Sequence, residues 1–125
     1  MYVDSNRLTK QAQAPIWDKE NALSRLGGDE GILKQIITVY LKETGKGLAL
    51  LKEAIAKEEC KNIHIYAHAL KGSASNVSAY AFIKIAQKIE TSTRENDTST
   101  LKEDFEILKV ELTKLEAELS TYVQA

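Results

Sequence analysis

A chain of 125 residues is long enough for one domain with a real core, and too short for that domain to be joined to an ATP-binding catalytic module. Hydrophobic residues at 43%, charged residues at 28%, a net charge of −1 and a pI near 6.1 describe an ordinary globular protein without a basic footprint for nucleic acid or anionic membrane. A lone cysteine excludes an internal disulfide, and neither a long apolar run nor a signal-peptide pattern occurs, so the expected location is cytoplasmic.

Residues Met1 to Pro15 are polar, aperiodic and contain the only proline, which predicts a flexible leader or linker remnant ahead of a bundle over 16–125. A short helix is predicted over Asp18 to Leu26, with Asp18 as N-cap and Trp17, Ala22, Leu23 and Leu26 as its apolar side. Gly27 and Gly28 supply a left-handed stop, and Asp29 is the next N-cap. From Asp29 to Thr44, Leu33, Ile36, Ile37, Tyr40 and Leu41 recur at helical spacing. Gly45 and Gly47 predict a bend, followed by a separate helix carrying Leu48, Leu51, Ala54 and Ile55 and ending near Glu58.

The next helix is predicted over Lys61 to Asn76. Ile63, Tyr66, Ala67, Leu70, Ala74 and Val77 fall within about 60° of one direction on a helical wheel, a stripe suited to a core. His68 points roughly 140° away, with Lys71 one turn later, Gly72 and Ser75 beside it, and Ile65 on the same outer side. A neutral imidazole facing water is a good nucleophile near neutral pH and can take a phosphoryl group as a phosphoramidate. Lys71 is placed to offset charge on the phosphoryl oxygens, and the small Gly72 and Ser75 leave room for a partner's active site.

Beyond Ser78, read as a helix-starting cap, Phe82, Ile85, Ala86 and Ile89 form the stripe of another helix to about Thr93, with Ile83, Gln87 and Glu90 on its flank. Thr91 to Ser99 reads as a loop, and Thr100 with Glu103 as a capping box. Leu101, Phe105, Leu108, Leu112, Leu115, Leu119 and Tyr122 then give the cleanest helical periodicity in the chain. The fold class is all-α: an antiparallel four-helix bundle with a short extra N-terminal helix.

His68-Ala69-Leu70-Lys71-Gly72-Ser73-Ala74, followed by Asn76-Val77-Ser78-Ala79, resembles the signature of histidine phosphotransfer (HPt) domains of multistep two-component phosphorelays. The Leu26-Gly27-Gly28-Asp29-Glu30 connection is similar as well. The chain departs from that family at Ser78, where glycine is usual. The resemblance implies that His68 accepts a phosphoryl group from a receiver-domain aspartyl phosphate and passes it to a response regulator. It also implies that Lys71 steadies the phosphoryl charge. Glu90, 22 positions after His68, matches a family Gln or Glu on the neighbouring helix. There it would accept a hydrogen bond from Nδ1 and leave Nε2 free, with Gln87 as the fallback. Implied partners are receiver domains and a hybrid sensor histidine kinase, docking on Ile65, Lys61, Gly72 and Ser75. The receiver brings Mg²⁺, and this chain, expected to be a monomer, carries no cofactor and no enzyme activity of its own.

The alternative is a phosphorylation-independent bundle that binds a signalling partner. Cys60, His64 and His68 share one side of a helix, but three ligands over two turns do not converge easily on one ion. His64 then reads as a solvated surface residue and Cys60 as a small residue at a helix start. Hydrolytic readings find no paired carboxylates, no Ser/His/Asp order and no phosphate-cradling glycine loop, and a solid bundle offers no obvious pocket.

Overall fold

The computed structural model describes residues 14–125, so the expected leader lies almost wholly outside the described residues. Five helices follow one another among these residues, with no strand: α1 (Lys19–Ser24), α2 (Glu30–Ala56), α3 (Cys60–Asn76), α4 (Tyr80–Arg94) and α5 (Leu101–Gln124). The last four form an antiparallel bundle in which α3 lies between α2 and α4, and α5 closes the square against both. No described helix is long and apolar enough to cross a membrane.

The apolar stripes meet as their spacing requires. Leu33, Ile37 and Leu51 of α2, Ile63, Ala67 and Ala74 of α3, Ile85 and Ile89 of α4, and Leu108, Leu115 and Leu119 of α5 are buried in one core. Each such large side chain withdrawn from water contributes about 1.5–3 kcal/mol. Ile36, Leu41 and Tyr66 are only partly buried and pack against its edge.

α2 is one helix where two were expected. It runs unbroken for 27 residues through Gly45 and Gly47. A Cβ at Gly45 would meet nothing within 4 Å, whereas one at Gly47 would stand 2.9 Å from Leu70 Cδ2. Gly47 is therefore where α2 approaches α3 closely, and packing overrides a helix-propensity cost of about 1 kcal/mol per glycine.

The helix ends share one device. The backbone N–H of Gly28, Glu59, Ala79 and Asp97 each reaches back to the carbonyl five residues earlier, at Leu23, Ala54, Ala74 and Ser92. The residue just before each donor is left-handed: Gly27, Glu58, Ser78 and Asn96. Ser78 is thus the residue that turns the chain after α3, with φ of 58°. It is not the cap of α4; Ala79 holds that position, without a side-chain cap bond.

Asp18 and Asp29 cap α1 and α2 as expected, accepting from Asn21 N and Ile32 N at 3.0 Å each. The capping box at α5 does not form. Thr100 is the N-cap, but its hydroxyl donates to Asp104 Oδ2 at 2.9 Å while Lys88 Nζ of α4 holds Asp104 Oδ1 at 2.5 Å. The hydroxyl oxygen accepts from Lys88 Nζ at 3.2 Å and not from the backbone of α5. The loop before α5 is also shorter than expected, because Thr91 to Thr93 continue α4 with Ser92 and Thr93 buried.

α1 fastens the α3–α4 turn from outside. Asp18 N donates to the Ser78 carbonyl, Ala81 N to the Pro15 carbonyl, and the Arg25 guanidinium reaches the Ser75 carbonyl and Ser78 Oγ. The turn that sets the register between α3 and α4 is therefore held from both ends.

Candidate functional site

That register builds the site. α3 and α4 form a hairpin about Ala79, and His68 and Glu90 each lie 11 positions from it. Antiparallel helices rising at the same pitch put the two at one height, on facing flanks.

His68 is exposed, its side chain 66% accessible, while the Glu90 side chain is only 3% accessible. His68 Nδ1 lies 2.5 Å from Glu90 Oε2. An ionised carboxylate is an acceptor only, so Nδ1 carries the hydrogen and Nε2 keeps its lone pair towards solvent. Lys71 Nζ donates to the other carboxylate oxygen, Oε1, at 2.5 Å. One buried carboxylate therefore holds both the imidazole and the nearby cation.

Burial pushes the Glu90 carboxyl up, but the hydrogen bonds from Lys71 and His68 and the adjoining positive charge outweigh it, and the group sits below its ordinary value. Glu90 stays charged at neutral pH although it is nearly shut off from water. Its backbone carbonyl accepts from Thr93 Oγ1 at 2.8 Å.

The remaining expected site residues lie on α3. Lys61, Ile65 and Gly72 are exposed and Ser75 is half-buried, spaced along the helix on the side of His68. Ile65 is 48% accessible. Lys71 does not stand free beside His68 but is tied to Glu90. Gln87, the fallback orienting residue, is exposed and one turn of α4 away from Glu90.

Two expectations need correcting. His64 is not merely a solvated residue: its Nε2 lies 3.9 Å from Glu90 Oε2 and its ring stacks against that of His68, with centroids 6.4 Å apart. Its partner was legible in the hairpin register, since His64 and Thr93 lie 15 and 14 positions from Ala79. Nor is the bundle without a recess. A groove of about 500 Å³ runs between α2 and α3, lined by Ile36, Val39, Leu50, Tyr66, Ala69 and Leu70. No group of three or more His, Cys, Asp or Glu side chains placed to hold a metal ion occurs among the described residues.

Residues 35–121 match the Hpt domain family, well over half of the chain. Among curated proteins none matches significantly. Among solved structures the fold is similar to that of histidine-containing phosphotransfer protein B (HptB) from Pseudomonas aeruginosa PAO1. The TM-score is 0.82 over 90% of this chain and 97% of that one, at 19% sequence identity. An exposed imidazole held from beneath suits phosphotransfer, and with the family match it leads to one conclusion: the chain belongs to the Hpt domain family, the histidine phosphocarriers of phosphorelays.

Proposed function

We propose that His68 is the phosphoryl acceptor, with Nε2 as its reacting atom. The observation that carries this reading is the buried Glu90 carboxylate under Nδ1 of an exposed ring. It fixes the tautomer, aims the free lone pair outward and leaves Nε2 accessible to a partner.

In the forward step, the Nε2 lone pair attacks phosphorus in line as the bond from phosphorus to a receiver's aspartyl oxygen breaks. The aspartate leaves with that electron pair as a carboxylate. The Nδ1 hydrogen stays on the ring, bonded to Glu90, and positive charge developing on the imidazole is met by that carboxylate. Lys71, whose side chain is 26% accessible, turns from Oε1 to the phosphoryl oxygens. The reverse sequence delivers the group to an aspartate of a second receiver.

The receiver supplies the Mg²⁺ and most of the electrostatic stabilisation; this chain supplies a positioned nucleophile and a docking face, and no cofactor of its own. Ile65, Lys61, Gly72 and Ser75 belong to that face, with Lys61 and Lys71 complementing an acidic receiver pocket. The partners are receiver domains, one of them within a hybrid sensor histidine kinase. The chain acts as a cytoplasmic monomer and transfers the group without turning over a substrate.

The test is transfer from a labelled receiver domain to the wild type and to His68→Gln. Acid-labile, alkali-stable label on the wild type and none on the variant is the expected result. A folded wild type that takes no label from several receivers, or a variant that labels equally, replaces the carrier with a phosphorylation-independent binding bundle.

A further inference from the structure

Phosphoryl transfer draws Lys71 away from Glu90, and the carboxylate then loses its partner at Oε1. His64 stands ready on the other side. It lies one turn before His68 on α3, 38% accessible, with Nε2 3.9 Å from Glu90 Oε2. That separation is too long for a hydrogen bond but within a small side-chain rotation of one. The ring is nearly parallel to that of His68, with planes at 12°.

The surroundings make His64 a donor. Thr93 Oγ1 lies 3.5 Å from His64 Nδ1, and this hydroxyl gives its own hydrogen to the Glu90 carbonyl. His64 therefore has an acceptor beside each ring nitrogen, the Thr93 oxygen at Nδ1 and the Glu90 carboxylate at Nε2; a neutral ring carries one hydrogen, and the tautomer with it on Nε2 aims it at Glu90. A carboxylate oxygen accepts more than one hydrogen bond, so His64 and His68 can share Oε2.

We infer that His64 is a positioning residue for His68, acting through Glu90: it holds the carboxylate under Nδ1 when Lys71 turns to the phosphoryl group. The inference rests on the phosphotransfer reading of His68 and adds a second imidazole to it. His64 touches neither the reacting nitrogen nor the phosphoryl group.

The experiment uses Lys71→Ala to mimic departure of the cation. The chain has two histidines, so imidazole ¹⁵N spectra resolve both. In Lys71→Ala, His68 keeps its hydrogen on Nδ1; adding His64→Leu shifts it towards the Nε2–H form that free imidazole side chains favour, and adding His64→Gln, which retains a donor, restores Nδ1–H. With Lys71 present, His64→Leu slows transfer about three- to tenfold at unchanged receiver affinity, as loss of one net hydrogen bond would, and His64→Gln recovers most of the rate. An unchanged His68 tautomer in Lys71→Ala/His64→Leu, or a wild-type transfer rate in His64→Leu, overturns the inference. Failure of the wild type to accept phosphate would instead sink the role of His68, and the tautomer comparison would still decide whether His64 holds Glu90.

Discussion

Glu90 meets His68 and Lys71 with different oxygens, Oε2 to the imidazole and Oε1 to the ammonium, both at 2.5 Å. The two tasks are therefore separable by substitution. Glu90→Gln can still accept from Nδ1–H with its carbonyl, but it turns an NH₂ group towards Lys71, donor against donor. Glu90→Ala removes both contacts. Transfer should fall by about tenfold or more in Glu90→Ala and by less in Glu90→Gln, whose His68 keeps the Nδ1–H tautomer. Single-turnover rates with one receiver measure the difference, and equal rates in all three proteins would remove Glu90 from the site.

The same carboxylate predicts a pH dependence of stability. Its value in the fold is lowered from the usual 4.5. A carboxyl lowered by folding contributes stability that is full above its unfolded value and is lost as pH falls through the folded one. Between about pH 5 and 3 the wild type should therefore lose unfolding free energy more steeply than Glu90→Gln. Glu53 and Asp97 are lowered too, but both are exposed and present in both proteins, so they cancel in the comparison. Urea titrations across that range test it; parallel curves would show that Glu90 titrates alike in both states.

Gly45 and Gly47 look equivalent in the sequence and are opposites in space. Gly45→Ala adds a methyl into open surroundings within a helix and should stabilise by about 0.5–1 kcal/mol. Gly47→Ala makes the same propensity gain but drives Cβ against Leu70, which is 4% exposed and has little room to yield. Overpacking of this kind costs about 1–3 kcal/mol, so the variant should be less stable than the wild type. Denaturant midpoints of the two single variants are the measurement.

These glycines mark where the sequence was readable and where it was not. Helical periodicity located α3, α4 and α5 and found both halves of α2, which it divided in two, because each stripe records burial along one element. The family resemblance singled out Glu90, and the three-residue turn between α3 and α4 makes the hairpin nearly symmetric, so that a residue 22 positions after His68 faces it. Three features escaped, and each depends on a neighbour distant in sequence. The division expected at Gly45 and Gly47 does not split α2, and Leu70 of α3 packs against Gly47. The capping box does not form where Lys88 of α4 donates to the Thr100 hydroxyl oxygen and to Asp104. His64 reads as a surface residue until α4 brings Glu90 and Thr93 to its side.

Ser78 is a fourth such case. A left-handed serine costs about 1 kcal/mol relative to glycine, and its hydroxyl offsets this by donating to Asn21 Oδ1 at 2.7 Å and accepting from Arg25 at 2.8 Å. Ser78→Ala keeps the backbone cost and loses both bonds, which should destabilise by about 1–2 kcal/mol. Ser78→Gly loses the bonds but also the cost, so it should stay within about 0.5 kcal/mol of the wild type. If alanine and glycine behave alike in thermal unfolding, the hydroxyl is not what lets this chain dispense with glycine at the turn.

Ile65 lies three residues before His68 on the outer side of α3 and is 48% accessible, so its replacement leaves the core untouched. Buried beneath a docked receiver, its side chain would contribute on the scale of an interface anchor, roughly 1–2 kcal/mol. Ile65→Asp removes that burial and also sets a carboxylate against the acidic pocket of a receiver, where like charges repel. The expected result is a receiver Kd weakened about tenfold or more, with helicity and unfolding midpoint unchanged. Lys61→Ala separates the two causes, because it alters charge on the same face without touching apolar contact. It should slow association and reduce the salt dependence, whereas Ile65→Ala should mainly speed dissociation. Normal affinity and transfer in Ile65→Asp would place the docking face elsewhere, with the groove between α2 and α3 as the next surface to alter.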